Sequence, residues 1–229
     1  MDRYSEIINK NQREIVLLKS FPCRWGKCRF CDYILDNSNS EDEINKLNFE
    51  VLDNITGKYK VLEVINSGSC FELPEATLYK IKEIIKEKKI KKLFLESHWS
   101  YKNRIQEMRD FFEIPITFKI GVESFDYDFR NNFLNKNAKF KNVEELKKYF
   151  DSPCIMVGIK GQTKDMIDKD MEIVLNNFDH ATINVFVNNT SDIKRDDELV
   201  NWFIEKYKFL DDNPKIEVLY NNTDFGVGD

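Results

Sequence analysis

Three of the five cysteines lie in one short stretch, Phe21-Pro22-Cys23-Arg24-Trp25-Gly26-Lys27-Cys28-Arg29-Phe30-Cys31-Asp32-Tyr33. The spacing is CxxxxCxxC, directly after the apolar run Ile15-Val16-Leu17-Leu18. An odd number of cysteines in a chain whose start carries no export signal argues against a disulfide framework and for metal ligation or reduced thiols. Only the clustered three demand a chemical explanation. Cys70 and Cys154 each sit among apolar neighbours and are expected to be buried as small hydrophobes.

Three thiolates at this spacing admit three readings. Structural zinc needs a fourth ligand, and with no second CxxC or paired His the site must recruit His98, Cys70 or Cys154. A two-iron centre of the plant ferredoxin kind also needs a distant fourth cysteine. Cys70 is available for it, but a long repeating strand-helix chain suits a small electron carrier poorly. In the third reading the thiolates hold three irons of a 4Fe-4S cluster at Cys23, Cys28 and Cys31 and leave one iron open.

These residues must be positioned by the elements around them. At 229 residues the chain is long enough for one sizeable core, and a single α/β domain over 1–229 is expected. With 41% hydrophobic and 13% aromatic residues it is too apolar for disorder. Its formal charge of -5 lacks the bulk basicity of a protein that grips nucleic acid, so a small or uncharged substrate is expected and direct nucleic-acid binding is not. No apolar run approaches the ~20 residues of a membrane span, and MDRYSEIINKNQRE has no signal-peptide core, so a cytoplasmic location is expected.

A polar leader, expected to be partly helical, precedes a strand at about 14–19 that reads as buried on both faces. The cysteine loop follows its carboxyl end. Ser40-Glu41-Asp42-Glu43 is a capping box, and Ile44, Leu47, Val51, Leu52 and Ile55 repeat at helical spacing until Gly57 stops the helix. Further strands are expected at 61–65, 93–95, 116–122, 154–159 and 181–187, each followed by a helical stripe, with a last short strand at 215–220. The helical stripe after the fourth strand runs through Phe129 and Phe133, and Asn142 caps another helix. Six strand-helix units without a flexible linker argue for one parallel sheet with right-handed crossovers, as an open, curved partial barrel of six strands or, second, a flat doubly wound sheet. The reactive ends are then the carboxyl ends of the strands, where the cysteine loop, Asn66-Ser67-Gly68-Ser69, Glu96-Ser97-His98, Glu123, Lys160 and Asn188 all fall.

The cysteine loop and these strand ends together resemble the radical S-adenosylmethionine superfamily. That resemblance implies a six-unit partial barrel of parallel strands, a 4Fe-4S cluster, and S-adenosylmethionine bound to the open iron and cleaved to a 5'-deoxyadenosyl radical. The usual cysteine spacing is CxxxCxxC, so the additional residue is a departure; Phe30 occupies the place of an aromatic that commonly precedes the last cysteine. The resemblance assigns Asn66, Ser67, Gly68 and Ser69 to the methionine amino group and Glu123 to the ribose hydroxyls. It places Ile159, in Val157-Gly158-Ile159-Lys160-Gly161 through Asp165, near the adenine, although Val157 and Asp165 replace the first glycine and final glutamate of that pattern.

Among its members the chain looks most like the small enzymes of 7-deazapurine salvage. That narrower resemblance implies queuine as substrate: hydrogen-atom abstraction from its cyclopentenediol, cleavage of the adjoining carbon-nitrogen bond, and release of 7-aminomethyl-7-deazaguanine. It also implies a flavodoxin- or ferredoxin-type electron donor. A guanine-like edge offers adjacent N–H donors to a carboxylate, and Glu96 is the candidate. His98 or Lys160 donates to the ring carbonyl or moves a proton, Ser97 lines the same strand end, and Asn188 reads hydroxyls unless it only makes a turn. His180 reads as structural. The other readings are a ring-contracting enzyme of the 7-carboxy-7-deazaguanine synthase kind, whose magnesium could fall to Asp32 or Asp36, a tRNA-modifying radical enzyme, and a non-enzymatic iron-sulfur carrier or sensor. The tail Asp224-Phe225-Gly226-Val227-Gly228-Asp229 either closes over the cleft or frays.

Overall fold

In the computed structural model, which describes residues 2–221, the apolar run before the cysteine loop is the strand Arg13–Leu18 (β2), buried along its whole length. Ahead of it lies β1 (Tyr4–Ile7), and after it follow β3 (Val61–Asn66), β4 (Lys92–Glu96), β5 (Ile116–Glu123), β6 (Ser152–Val157), β7 (Ala181–Val185) and β8 (Ile216–Leu219). Strand order in the sheet is the order of the sequence. The ladders from β2 to β5 and from β6 to β8 are parallel. Parallel neighbours need crossovers, and helices supply them: α1 (Glu41–Leu52), α2 (Glu75–Lys88), α3 (Ile105–Phe112), α4 (Val143–Lys147), α5 (Lys164–Asn177) and α6 (Asp197–Tyr207).

The expected six strands are therefore eight among the described residues. The short strand at 215–220 joins beside β7. The polar leader is a strand rather than a partial helix, because β2 offers it an open edge: β1 pairs with β2 antiparallel, and Leu17 N–H donates to Arg3 O at 2.9 Å. Its four residues are half-buried, as suits a polar strand that covers a sheet edge. The proposed closing segment 224–229 lies outside the described residues. No helix among the described residues is long and apolar enough to cross a membrane.

Two compact units make up the chain. The first takes Asp2–Gly26 and Tyr33–Lys119. In it Ser40 caps α1, accepting from Glu43 N–H at 3.3 Å. The helix ends at Leu52, before Gly57, because the Glu14 carboxylate draws the following chain away: it accepts from the N–H groups of Thr56 and Gly57, both at 2.7 Å. Within the sheet Glu63 accepts from Arg13 Nε at 2.5 Å and from Lys119 Nζ at 2.6 Å, with all three side chains buried. Removing Glu63 strands buried cations, a change that costs about 3–5 kcal/mol.

The second unit takes Lys27–Asp32 together with the chain from Ile120 onward. Here the stripe through Phe129 and Phe133 forms one wide π-type turn, with the two rings stacked 5.0 Å apart. Phe30 packs with Phe129, Leu134, Met156, Ile159, Phe186 and Ile193 in one apolar cluster, against which Cys28 and Cys31 lie. A six-residue segment of the cysteine loop thus draws its core contacts from Phe129 and the chain beyond it. Cys70 and Cys154 are buried, as expected of small hydrophobes. His180, which precedes β7, has Nδ1 2.7 Å from Ser152 Oγ.

Candidate functional site

In the first unit the end of β3 is wired to the start of the cysteine loop. Asn37 Oδ1 accepts from Cys23 N–H at 3.3 Å, while its amide donates to Ser67 O at 2.7 Å and Ser67 Oγ at 3.0 Å. Ser67 Oγ also accepts from Ser20 N–H at 3.1 Å. Glu72, on the short 3-10 turn after the loop, is the second anchor. Its carboxylate accepts from Arg24 N–H at 2.7 Å, from the Tyr101 hydroxyl at 3.0 Å and from Ser69 N–H. Gly68 makes room for this approach, since a Cβ there runs into Glu72 Oε2 and comes within 3.1 Å of Ser20 Oγ. Burial, reinforced by the Glu72 charge, holds the Tyr101 phenol and the Cys70 thiol well above their ordinary pKa values. Asn66 Oδ1, on a residue 2% exposed, has no hydrogen-bond partner among the described residues.

The end of β4 joins the same network. His98 N–H donates to Ser69 Oγ at 3.0 Å, bringing the expected Asn66–Ser69 and Glu96–His98 segments together. His98 Nδ1 accepts from Ser100 N–H at 3.2 Å and so caps the following 3-10 turn. A neutral His98 then carries its proton on Nε2, which makes that edge a donor. Ser97 is buried and Glu96 half-buried.

In the second unit Cys31 N–H donates to Cys28 O at 3.3 Å, folding the CxxC segment into a turn. Arg29 N–H donates to Leu134 O at 3.0 Å, and the side chains of Asn135 and Asn189 donate to Lys27 O and Phe30 O, each at 2.8 Å. Backbone groups on this short segment are thereby satisfied by loops that follow β5 and β7. Ile159, expected beside a cofactor ring, is fully buried in the cluster that holds Phe30. Gln162 fixes the backbone before it, accepting from Gly158 N–H at 3.0 Å and donating to Met156 O at 2.9 Å.

Glu123 ends β5 in an unusual conformation. Ser124 N–H donates back to Val122 O at 2.8 Å, so Glu123 is the centre of a γ-turn, and its φ is 65°. This is the rare, strained form, and positive φ at a non-glycine costs of order 1–3 kcal/mol. Glu123 is 4% exposed, and its carboxylate is met by Lys136 Nζ at 2.6 Å. Lys136 in turn stands 5.3 Å from the centre of the Phe30 ring. Burial opposes the Lys136 charge, but Glu123 and, less strongly, Cys28 and Cys31 outweigh it and raise its pKa above the ordinary lysine value. Gly121 is what admits the pair: a Cβ there collides with Glu123 Oε1 and lies 2.6 Å from Lys136 Nζ.

Two further expected residues lie at the surface. Lys160 is exposed, and its backbone N–H donates to Lys194 O at 2.8 Å. Asn188 is also exposed and spends Oδ1 on Arg195 N–H at 2.9 Å, closing its own loop. Sequence reasoning missed Asn37, Glu72 and Lys136, single polar residues in loops that belong to no spaced motif. It also missed Asn131, 8% exposed on the π-type turn with neither amide atom hydrogen-bonded within the structure. Among the described residues, no three His, Cys, Asp or Glu are gathered as a site for a metal ion.

No protein-family model matches the chain. A queuine lyase from Clostridium spiroforme, solved bound to S-adenosylmethionine and queuine, is 57% identical over 100% of both chains and superposes with a TM-score of 0.98. The chain belongs to the queuine lyase family, within the radical S-adenosylmethionine superfamily. An uncharacterised protein of Methanocaldococcus jannaschii is 26% identical over 63% of this chain, which spans 44% of that curated relative's length. A radical S-adenosylmethionine methyltransferase from Kitasatospora setae overlaps 74% of the chain at 7% identity and a TM-score of 0.46, too loose a likeness to bear on function.

The residues present fit the cofactors of this superfamily. Cys23, Cys28 and Cys31 are half-buried and in no disulfide, a state in which thiolates can serve as soft ligands to iron. The orphaned Asn66 Oδ1 is a buried acceptor at the strand end where an ammonium group is expected.

Proposed function

We propose that the chain is a queuine lyase that cleaves the carbon-nitrogen bond between the cyclopentenediol and the 7-aminomethyl group, releasing 7-aminomethyl-7-deazaguanine for queuosine salvage. The observation that carries this is full-length likeness to a queuine lyase at 57% identity. When bound, the 4Fe-4S cluster and S-adenosylmethionine supply a 5'-deoxyadenosyl radical. Cys23, Cys28 and Cys31 hold the cluster. Asn66 Oδ1 and the backbone of Ser67, Gly68 and Ser69 receive the methionine amino group, Glu123 takes the ribose hydroxyls, and Ile159 and Phe30 give the adenine and cluster an apolar wall.

Glu96 accepts the paired N–H groups of the deazaguanine edge. His98, with its proton held on Nε2 by the Ser100 contact, donates to the ring carbonyl. Lys160 and Asn188 are secondary candidates, for proton movement and hydroxyl recognition, because both are exposed. Ser97 lines the Glu96–His98 strand end. On this reading the parallel strands form the curved partial barrel of the superfamily as one catalytic domain, working in the cytoplasm with a flavodoxin- or ferredoxin-type reductant and with no direct contact to nucleic acid.

Anaerobic incubation of the reconstituted protein with S-adenosylmethionine, a one-electron reductant and queuine tests the proposal by mass spectrometry. Expected products are 5'-deoxyadenosine and 7-aminomethyl-7-deazaguanine. Formation of 5'-deoxyadenosine without loss of queuine sinks the substrate assignment and leaves the radical chemistry standing.

A further inference from the structure

Lys136 is a lysine that the fold has gone to some length to bury. Its side chain is only 14% exposed, and that of its partner Glu123 only 5%. Three features hold it: the Glu123 carboxylate at 2.6 Å, the bare face of Gly121, and the ring of Phe30 at 5.3 Å. Phe30 lies between Cys28 and Cys31, and all three pack on the same apolar cluster. The Lys136 backbone is pinned as well, its N–H donating to Arg130 O at 3.0 Å. A buried ion pair of this kind is a poor source of stability, since apolar residues of the same volume commonly serve as well. Its placement therefore calls for a reason tied to charge.

Resting on the cluster-binding reading above, we propose that Lys136 is a positioning residue that sets the reduction potential of the centre held by Cys28 and Cys31. Its ammonium, fixed over Phe30 by Glu123, is a buried cation set against the aromatic residue of the CxxC turn that the hydrogen-bonding scheme locks in place. Reduction adds one negative charge to an iron-sulfur cluster, and a fixed cation in a low-dielectric surrounding stabilises that reduced form. Glu123 works in the opposite sense, so the pair is a balance in which each member shifts the potential its own way. The balance is electron-neutral in itself: neither residue gains or loses an electron, and the donor remains the external reductant.

The test is a potentiometric titration of the reconstituted cluster, followed by its electron paramagnetic resonance signal without S-adenosylmethionine or substrate, in the wild type, Lys136→Met, Lys136→Arg and Glu123→Gln. Lys136→Met is expected to lower the ratio of reduced to oxidised cluster about tenfold at a fixed poise, a shift of about 59 mV for one electron. Lys136→Arg keeps the charge and stays near wild type. Glu123→Gln moves the ratio upward. A purely structural role disturbs the cluster in the same sense in both single variants, so shifts of like sign, or no shift at matching iron content, overturn the inference. Should Lys136→Met fail to take up iron, the sign of the Glu123→Gln shift decides. A wild-type chain that assembles no cluster overturns the reading of the site itself, whereas normal clusters with equal potentials overturn this inference alone.

Discussion

The backbone N–H of Arg24 donates to Glu72 Oε1 at 2.7 Å, so the residue after the first cysteine hangs on a carboxylate buried far along the chain. The same carboxylate serves Ser69 N–H and the Tyr101 hydroxyl. Glu72→Ala leaves these donors unmatched, and each unmatched buried donor costs roughly 1–3 kcal/mol. The expected outcome is a loss of about 2–4 kcal/mol in urea unfolding of the apoprotein and a fall in iron retained after reconstitution. Wild-type iron content in a measurably destabilised variant would show that the anchor serves the fold without serving the loop.

Gly121→Ala separates the Glu123–Lys136 pair from the rest of the fold. The added Cβ meets only the far ends of two side chains, so stability is expected to stay within about 1 kcal/mol of wild type. Displacing Glu123 should weaken S-adenosylmethionine binding about tenfold, or about 1.4 kcal/mol. Equilibrium binding to the reconstituted variant checks this, and undiminished affinity removes Glu123 from the ribose.

Cys28→Ala is expected to abolish both the cluster absorbance and turnover, because two thiolates do not hold a cubane in place of three. Cys70→Ala provides the contrast. Its thiol is wholly buried, and burial pushes its pKa up, so it stays neutral and unavailable to iron. Iron per chain in the Cys70 variant should equal wild type, and a loss there would reopen the ferredoxin-like arrangement.

Asp170 gives a pH dependence with a definite sign. It is 1% exposed, Oδ1 accepts from Phe125 N–H at 2.7 Å, and burial raises its pKa to about 7. The fold prefers the protonated acid, so its contribution is complete below the unfolded value near 4 and is lost as pH rises to about 7, at roughly 1.4 kcal/mol per unit. Asp170→Asn keeps an acceptor for Phe125 and removes the titration. Melting temperatures from pH 5 to 8 should fall less steeply in this variant, and parallel profiles would mean that Asp170 is ionised in the folded chain.

The order of the parallel strands and the helices that follow them was legible, because long buried strands and amphipathic stripes carry strong periodicity. The leader was not, since Tyr4-Ser5-Glu6-Ile7 is too short and too polar to declare a strand without the open edge of β2. Cys23, Cys28, Cys31, Asn66–Ser69 and Glu123 stood out as candidates in the sequence because chemistry or strand ends single out their positions. Lys136 could not, since Asn135-Lys136-Asn137 reads as a solvated turn, and its burial arises from Gly121, Glu123 and Phe30, residues that come together only in the fold. Asn188 stands out in the sequence for its place after a strand, while the engagement of its Oδ1 with Arg195 N–H is a local loop contact that the sequence does not announce.

The Lys27–Asp32 segment belongs with residues from Ile120 onward, while the chain on either side of it belongs with the earlier unit. This has a consequence for the order of events during synthesis. Asn189, which donates to Phe30 O, lies 159 residues downstream; at ribosomal speeds of about 5–20 residues per second it is made on the order of ten seconds or more after Phe30. Until the chain has passed Phe129 and Leu134, Cys28 and Cys31 lack the apolar cluster that seats them, and the set of partners is complete only with Asn189 and Ile193. Iron delivered early meets a half-built ligand set, and oxidants meet accessible thiols. If these cysteines hold the cluster as proposed, recovery of active protein is expected to depend more on keeping the thiols reduced after release than on supplying iron during translation.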